Sequence, residues 1–134
     1  MAWQTPKVRP LERGKATNQK KYFVHILRAL VRNGGQCSTK RMYDEVAGQM
    51  TFNEYDNLRL DNGEIRWRES MRAARKILEV CGLLCPKEVS GRANWRITER
   101  GRLYLRWIDA GCPWKHTVIL SYVRDFHPPF PSWK

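Results

Sequence analysis

Apolar residues recur at three- and four-residue intervals through much of the chain. Over residues 20–31, Tyr22, Phe23, Ile26, Leu27, Leu30 and Val31 keep this spacing until Asn33-Gly34-Gly35 ends it, which predicts a first helix. Gln36-Cys37 reads as a short extended piece. Ser38 or Thr39 offers the cap for a second helix, with Met42, Val46, Ala47 and Met50 along one side. Thr51-Phe52-Asn53-Glu54 has the form of a capping box, threonine at the cap and glutamate three residues on, and predicts a further helical segment before Asp61-Asn62-Gly63 breaks the chain.

Residues 64–82 carry the clearest pattern. No proline or glycine interrupts Glu64 to Cys81, and Gly82 supplies a left-handed stop. At about 100° per residue, Trp67, Met71, Ala74, Ile77, Leu78 and Cys81 gather on one face, while Arg66, Arg68, Glu69, Arg72, Ala73 and Lys76 lie mostly on the other. Leu83-Leu84-Cys85-Pro86-Lys87-Glu88-Val89, a turn at residues 90–94 and Trp95-Arg96-Ile97-Thr98 read as a hairpin, with Trp95 and Ile97 on one side and Arg96 on the other. Thr98 then caps a helix to about Asp109, whose apolar side is Leu103, Tyr104, Trp107 and Ile108. Val118, Ile119, Tyr122, Val123 and Phe126 predict a last helix over residues 114–126, and residues 127–134 form a proline-rich extended tail. Residues 1–19, with Pro6, Pro10, Gly14 and scattered basic side chains, read as a flexible arm.

The expected fold is therefore mainly α with a small β-hairpin, in the order of a winged helix-turn-helix with an extra C-terminal helix. The division is an arm at 1–19, the winged-helix domain at 20–109 and a helix with its tail at 110–134. A length of 134 residues suits one such domain. The charge narrows the partner. Lys and Arg number 25 against 13 Asp and Glu, a formal net charge of +12. On so short a chain this favours a polyanion, because counterion release drives association with phosphates. Ribosome-associated and membrane-surface proteins share the same balance. No apolar run reaches the roughly 18–20 residues of a membrane span, and the N-terminus lacks a signal peptide's apolar stretch, so no membrane partner and a cytoplasmic, nucleoid-associated location are expected.

A helix about 10–12 Å wide enters a major groove about 12 Å across when other helices brace its apolar side. In helix 64–82 this assigns Arg66, Arg68, Glu69, Ser70, Arg72, Ala73 and Lys76 to the reading face; Glu69 is assigned first to orienting Arg66 or Arg72. On the wing, residues 84–97, Lys87, Ser90, Arg92 and Arg96 are phosphate candidates and Asn94 a minor-groove candidate. A generic solvated basic surface is the plainer alternative for all of them. Cys37, Cys81, Cys85 and Cys112, with His25, His116 and His127, lack the paired spacing of a zinc site. No nucleophile elbow, phosphate-binding glycine loop or acidic metal pair with a nearby lysine stands out. The expectation is no enzyme, no metal and no cofactor within these residues.

The stretch Ile65 to Leu84, followed by Trp95-Arg96-Ile97-Thr98-Glu99-Arg100-Gly101-Arg102, resembles the N-terminal domain of Mrr-type restriction proteins: a basic amphipathic helix, Gly-Leu-Leu, a short wing and then Ile-Thr-x-x-Gly. The likeness covers about residues 20–108. It implies a module that binds double-stranded DNA and targets a restriction or defence nuclease, whose catalytic domain would lie outside these residues. The chain is similar, more distantly, to winged-helix readers in methyladenine-dependent endonucleases. That likeness implies that an aromatic side chain, Trp67 or Trp95, meets a methylated base, although both also fall on the core face. Other readings stay open. The scaffold of a transcriptional regulator or protein-interaction module would use the aromatic C-terminal part (Trp107, Trp114, Tyr122, Phe126, Phe130, Trp133) as a homodimer or partner surface. RNA binding is a third.

Overall fold

Apolar stripes of four helices close on a single core in the computed structural model, which describes residues 19–113, 115 and 119–120. Helix α1 (Gln19–Arg32) runs through the middle and packs against α2 (Thr39–Gln49), α3 (Arg66–Val80) and α5 (Glu99–Asp109). Its Tyr22, Phe23, Ile26, Leu27 and Leu30 are buried with Met42 and Val46 of α2, Met71, Ala74 and Leu78 of α3, and Leu103, Tyr104 and Trp107 of α5. Burying side chains of this size stabilises by about 1.5–3 kcal/mol each, which is why the periodicity specifies the helices' orientation. The fold is mainly helical, with one antiparallel sheet of two strands among the described residues, β1 (Gln36–Ser38) and β2 (Asn94–Arg96). Cys37 and Trp95 face each other across the sheet and both point inward.

Ser38 caps α2 by accepting a hydrogen bond from the Arg41 amide, as its position before the helix predicts. The segment after α2 departs from expectation. Thr51 and Glu54 form no box and start no helix. The reciprocal bonds instead join Asn53 and Asp56, each backbone N–H donating to the other's side-chain oxygen at 3.0 Å. Asn and Asp compete for backbone partners in this way, and here they close a single turn. The chain then forms a narrow loop in which Arg59 bridges Ile65 and the Leu60 amide donates to the Glu64 carbonyl. Glu64 and Ile65 belong to that loop, so α3 begins at Arg66 and not at Glu64. Carbonyls of Leu58 and Asp56 accept from the Arg66 and Trp67 amides, a backbone cap where Ile65 has no side-chain oxygen to offer. An aromatic ladder of Tyr22, Phe52 and Trp67, with Tyr43 edge-on to Trp67, braces this end. Burial, with Asp56 nearby, pushes the Tyr22 phenol up to about 12, so it stays neutral beneath α3.

Helix α3 stops at Val80, and Gly82 follows at φ 81°, the left-handed exit expected of it. The predicted hairpin is only partly present. Its first arm is a single bridge, Leu84 to Ile97, with the Cys85 amide donating to the Arg96 carbonyl. Pro86 then starts a four-residue helical turn, α4 (Lys87–Ser90), in place of the expected strand. A proline fixes its own φ and suits the start of a turn better than a ladder. The second arm, β2, pairs with β1.

Thr98 caps α5, accepting from the Gly101 amide while its hydroxyl donates to the Gly82 carbonyl at 2.6 Å. A Cβ on Gly101 would lie 2.4 Å from the Leu83 carbonyl oxygen and 2.6 Å from Ile97 Cγ1. The Ile-Thr-x-x-Gly pattern thus has a packing reason: the threonine starts the helix and the glycine lets it touch the strand it leaves. Of the predicted last helix, Ile119 and Leu120 are helical and buried. Its other residues, except exposed Lys115, lie outside the described set, as do the arm's residues 1–18 and the proline-rich tail.

Candidate nucleic-acid interface

The outward side of α3 and the loop that follows it form one surface. Arg72, Ala73 and Lys76 are exposed on α3, and Lys87, Arg92 and Arg96 are exposed beyond it. Between helix and loop lies a cleft of about 230 Å³ lined by Thr39, Arg72, Arg75, Lys76, Glu79, Lys87 and Arg92. Five cationic side chains against one carboxylate give it a positive field, and its position follows from how the loop is tied down.

Arg75 does the tying, and periodicity assigned it to neither face of the helix. Its side chain is 9% exposed. It donates to the carbonyls of Arg92 at 2.8 Å, Gly91 at 3.1 Å and Asn94 at 3.0 Å, and to Glu79 at 2.9 Å. The guanidinium lies 4.8 Å from the centre of the Trp95 ring. Thr39 adds a second fastening: its amide donates to the Ala93 carbonyl, its hydroxyl donates to the Arg92 carbonyl and accepts from the Trp95 indole. Ser90 donates to the Pro86 and Asn94 carbonyls, and the Asn94 amide group to Gln36. The loop therefore turns its backbone carbonyls inward and presents Arg92 outward.

Several predicted contact residues consequently have structural work. Ser90 and Asn94 are half-buried and already bonded, Ser90 within the loop and Asn94 to Gln36 of β1. Ser70 lies half-buried beside the Tyr22 phenol, toward α1, away from the outer face. Trp67 is 8% exposed and Trp95 only 1%, so neither ring is presented to a base. Arg96 projects from β2 opposite Gln36 and does not line the cleft. Arg66 is half-buried where α3 meets the loop before it.

Arg68, Glu69 and Arg72 form a network at the N-terminal half of the surface. Arg72 donates to Glu64 at 2.9 Å and to the Tyr43 hydroxyl at 3.0 Å through Nη1, and to Glu69 through Nη2. Partial burial works against the Arg72 charge, but these bonds outweigh it and hold the guanidinium protonated. Arg68 sits over the Tyr43 ring at 5.2 Å and the Trp67 ring at 5.4 Å, with Glu64 3.9 Å away. A hydrogen bond from the Ile65 amide, then the Arg72 guanidinium, hold the Glu64 carboxyl below its ordinary value. Glu69 touches Arg72, the second of the two partners proposed for it. Glu64 and Tyr43 were not assigned to the surface from sequence, because their approach depends on the loop between α2 and α3.

Sequence did contain a signal for Arg75. It stands four residues after Met71 and three before Leu78, on the apolar stripe itself, with Glu79 one turn later. A cation in that register with a following carboxylate marks a buried tether. Elsewhere, the four cysteines are free thiols, and no three His, Cys, Asp or Glu side chains gather as metal ligands among the described residues. None of the described helices is long and apolar enough to cross a membrane. No protein-family model, curated protein or solved structure matches the chain, so the likeness to Mrr-type domains stands on its motif residues alone.

Proposed function

We propose that the chain is a duplex-DNA-binding module of the winged helix-turn-helix type, with α3 in the major groove and the loop after it on the flanking backbone. The observation that carries this reading is the cleft between α3 and the loop, where Lys76, Lys87 and Arg92 converge beside Arg72. From Arg68 to Lys76 the outer face of α3 runs about 12 Å, the length of three to four base-pair steps. The loop is fastened to α3 by Arg75 and to the start of α2 by Thr39, so its backbone is already ordered before its cations meet the phosphates. The net charge supports the same partner. In the restriction setting that the Mrr-like motif implies, the module delivers a nuclease carried elsewhere to its target. A tryptophan contact to methyladenine has no support from this surface, since both tryptophans are inside.

Titration of a fluorescent duplex pool, in competition with structured RNA, tests the reading. Duplex binding that RNA displaces poorly is expected. No duplex binding, or displacement by RNA at lower concentration than by DNA, would overturn it. Selection from the same pool with and without adenine methylation then defines the target.

A further inference from the structure

The outer face of α3 is not uniformly basic. At its C-terminal half, Lys76 meets Lys87 and Arg92 across the cleft with only Glu79 opposing, and Glu79 is itself bonded to Arg75. At its N-terminal half, Arg68 and Arg72 are matched by Glu64 and Glu69, which leaves that cluster close to neutral. Arg72 stands where the two halves meet and lines the cleft as well.

On the reading that this surface binds duplex DNA, we propose that Glu64 and Glu69 make Arg72 a base-reading side chain and prevent it from serving as a phosphate anchor, so that these three residues set sequence discrimination while the cleft supplies affinity. A guanidinium has five N–H donors, and three of those on Arg72 are taken up by Glu64, Tyr43 and Glu69. The two left are the number that a guanine edge accepts through O6 and N7. Those acceptors carry no net charge, so the carboxylates beside Arg72 repel them far less than they repel a phosphate. A phosphate at the same place would face two carboxylates at close range and find the arginine charge already matched. The geometry also limits side-chain freedom: Arg72 is held from three directions, which lowers the ordering cost of a contact that demands a fixed plane. Glu64 and Glu69 therefore penalise backbone-only binding, and with it binding to unrelated sequence.

The test uses the full chain, the duplexes recovered by selection and the unselected random pool, with affinities measured over a series of salt concentrations. E64Q/E69Q is expected to bind the random pool roughly tenfold more tightly. Its salt slope should steepen by about 0.9, one added phosphate contact, and its preference for selected duplexes should fall. R72A is expected to lose preference for selected duplexes while keeping the wild-type slope. E69Q alone, which leaves the Glu64 bond to the Ile65 amide intact, should show the same direction with a smaller change and guards against misfolding of the double variant; far-ultraviolet circular dichroism checks each fold. Wild-type binding with random-pool affinity and slope unchanged in folded E64Q/E69Q and E69Q overturns this proposal alone. So does an R72A variant that loses about 0.9 in slope with preference unchanged. Absence of duplex binding by the wild type overturns the DNA reading, and this proposal with it.

Discussion

Arg72 and Arg75 stand one turn apart on α3, and each has an acidic partner within four residues, yet they belong to different parts of the molecule. Arg75 is 9% exposed and its partners are chiefly backbone carbonyls of the loop. Arg72 is 41% exposed and its partners are two carboxylates and a phenol at the surface. Helix phase makes the difference. A step of three residues turns the side chain from the solvent strip to the flank of the apolar stripe, where Trp95 and the loop cover it. Desolvation then makes the Arg75 bonds obligatory, because removing one side strands buried partners, whereas water can replace whatever Arg72 loses. Arginine-rich helices of this kind cannot be read by counting cations; the buried one holds the loop in place and the exposed one stands on the surface that results.

The largest expected effect breaks the tether. Arg75→Ala leaves the Glu79 carboxylate, 12% exposed, without its guanidinium partner and takes from the loop its charged bonds to three carbonyls, which keep only the Thr39 and Ser90 hydroxyls and the Asn94 amide; it should destabilise the fold by about 3 kcal/mol in urea or thermal unfolding. Arg72→Ala should change stability by no more than about 1 kcal/mol, as expected for partly exposed ion pairs. Equal losses would erase the distinction. Arg75→Lys sharpens it: charge is kept but the planar fork is lost, and a loss of about 1–2 kcal/mol is expected. A lysine that matched arginine would show that charge alone holds the loop.

Acid titration gives the smaller effects. Glu64 has a depressed carboxyl in the fold, so its contribution is complete above its ordinary value of 4.5 and is lost as pH falls through the lower folded value. E64Q should remove that part of the acid-induced decline. His25 acts in another window. Burial first, then Arg28, Arg32 and Lys21, lower its pKa, so the unfolded chain takes up the proton first and stability declines as pH drops below 6.5. His25→Gln should flatten that part of the profile and leave the decline below 4.5 in place.

How much of this was legible in the residues depends on the range of the interactions. Helices α1, α2, α3 and α5 follow from periodicity, and their caps at Ser38 and Thr98 from local chemistry, because both act within one or two turns. Between α2 and α3 the structure differs from the local pattern: Thr51 and Glu54 fit a capping box, but Asn53 and Asp56 make the bonds and backbone carbonyls cap α3. On α3, Arg72, Ala73 and Lys76 lie on the exposed strip that the helical period predicts, while Ser70 lies half-buried beside Tyr22. On the wing, Ser90 bonds the turn's own carbonyls and Asn94 bonds Gln36 of β1, and in sequence a polar side chain in a turn looks the same whether it does this or faces solvent. Tyr43 and Thr39 reach the surface through contacts distant in sequence, which no local pattern encodes, whereas Glu64 meets Arg68 and Arg72 within eight residues from the loop that precedes α3.

We propose that the cleft cations Lys76, Lys87 and Arg92 bind the phosphate backbone of duplex DNA. The most direct measurement is duplex affinity against salt for the wild type and for a K76A/K87A/R92A variant, each checked for unchanged thermal stability. The wild-type plot of log K against log salt should be steep and the variant's flatter by about 2.7, three phosphate contacts at about 0.9 each. A folded variant with wild-type slope and affinity would show that these three cations do not meet the phosphates.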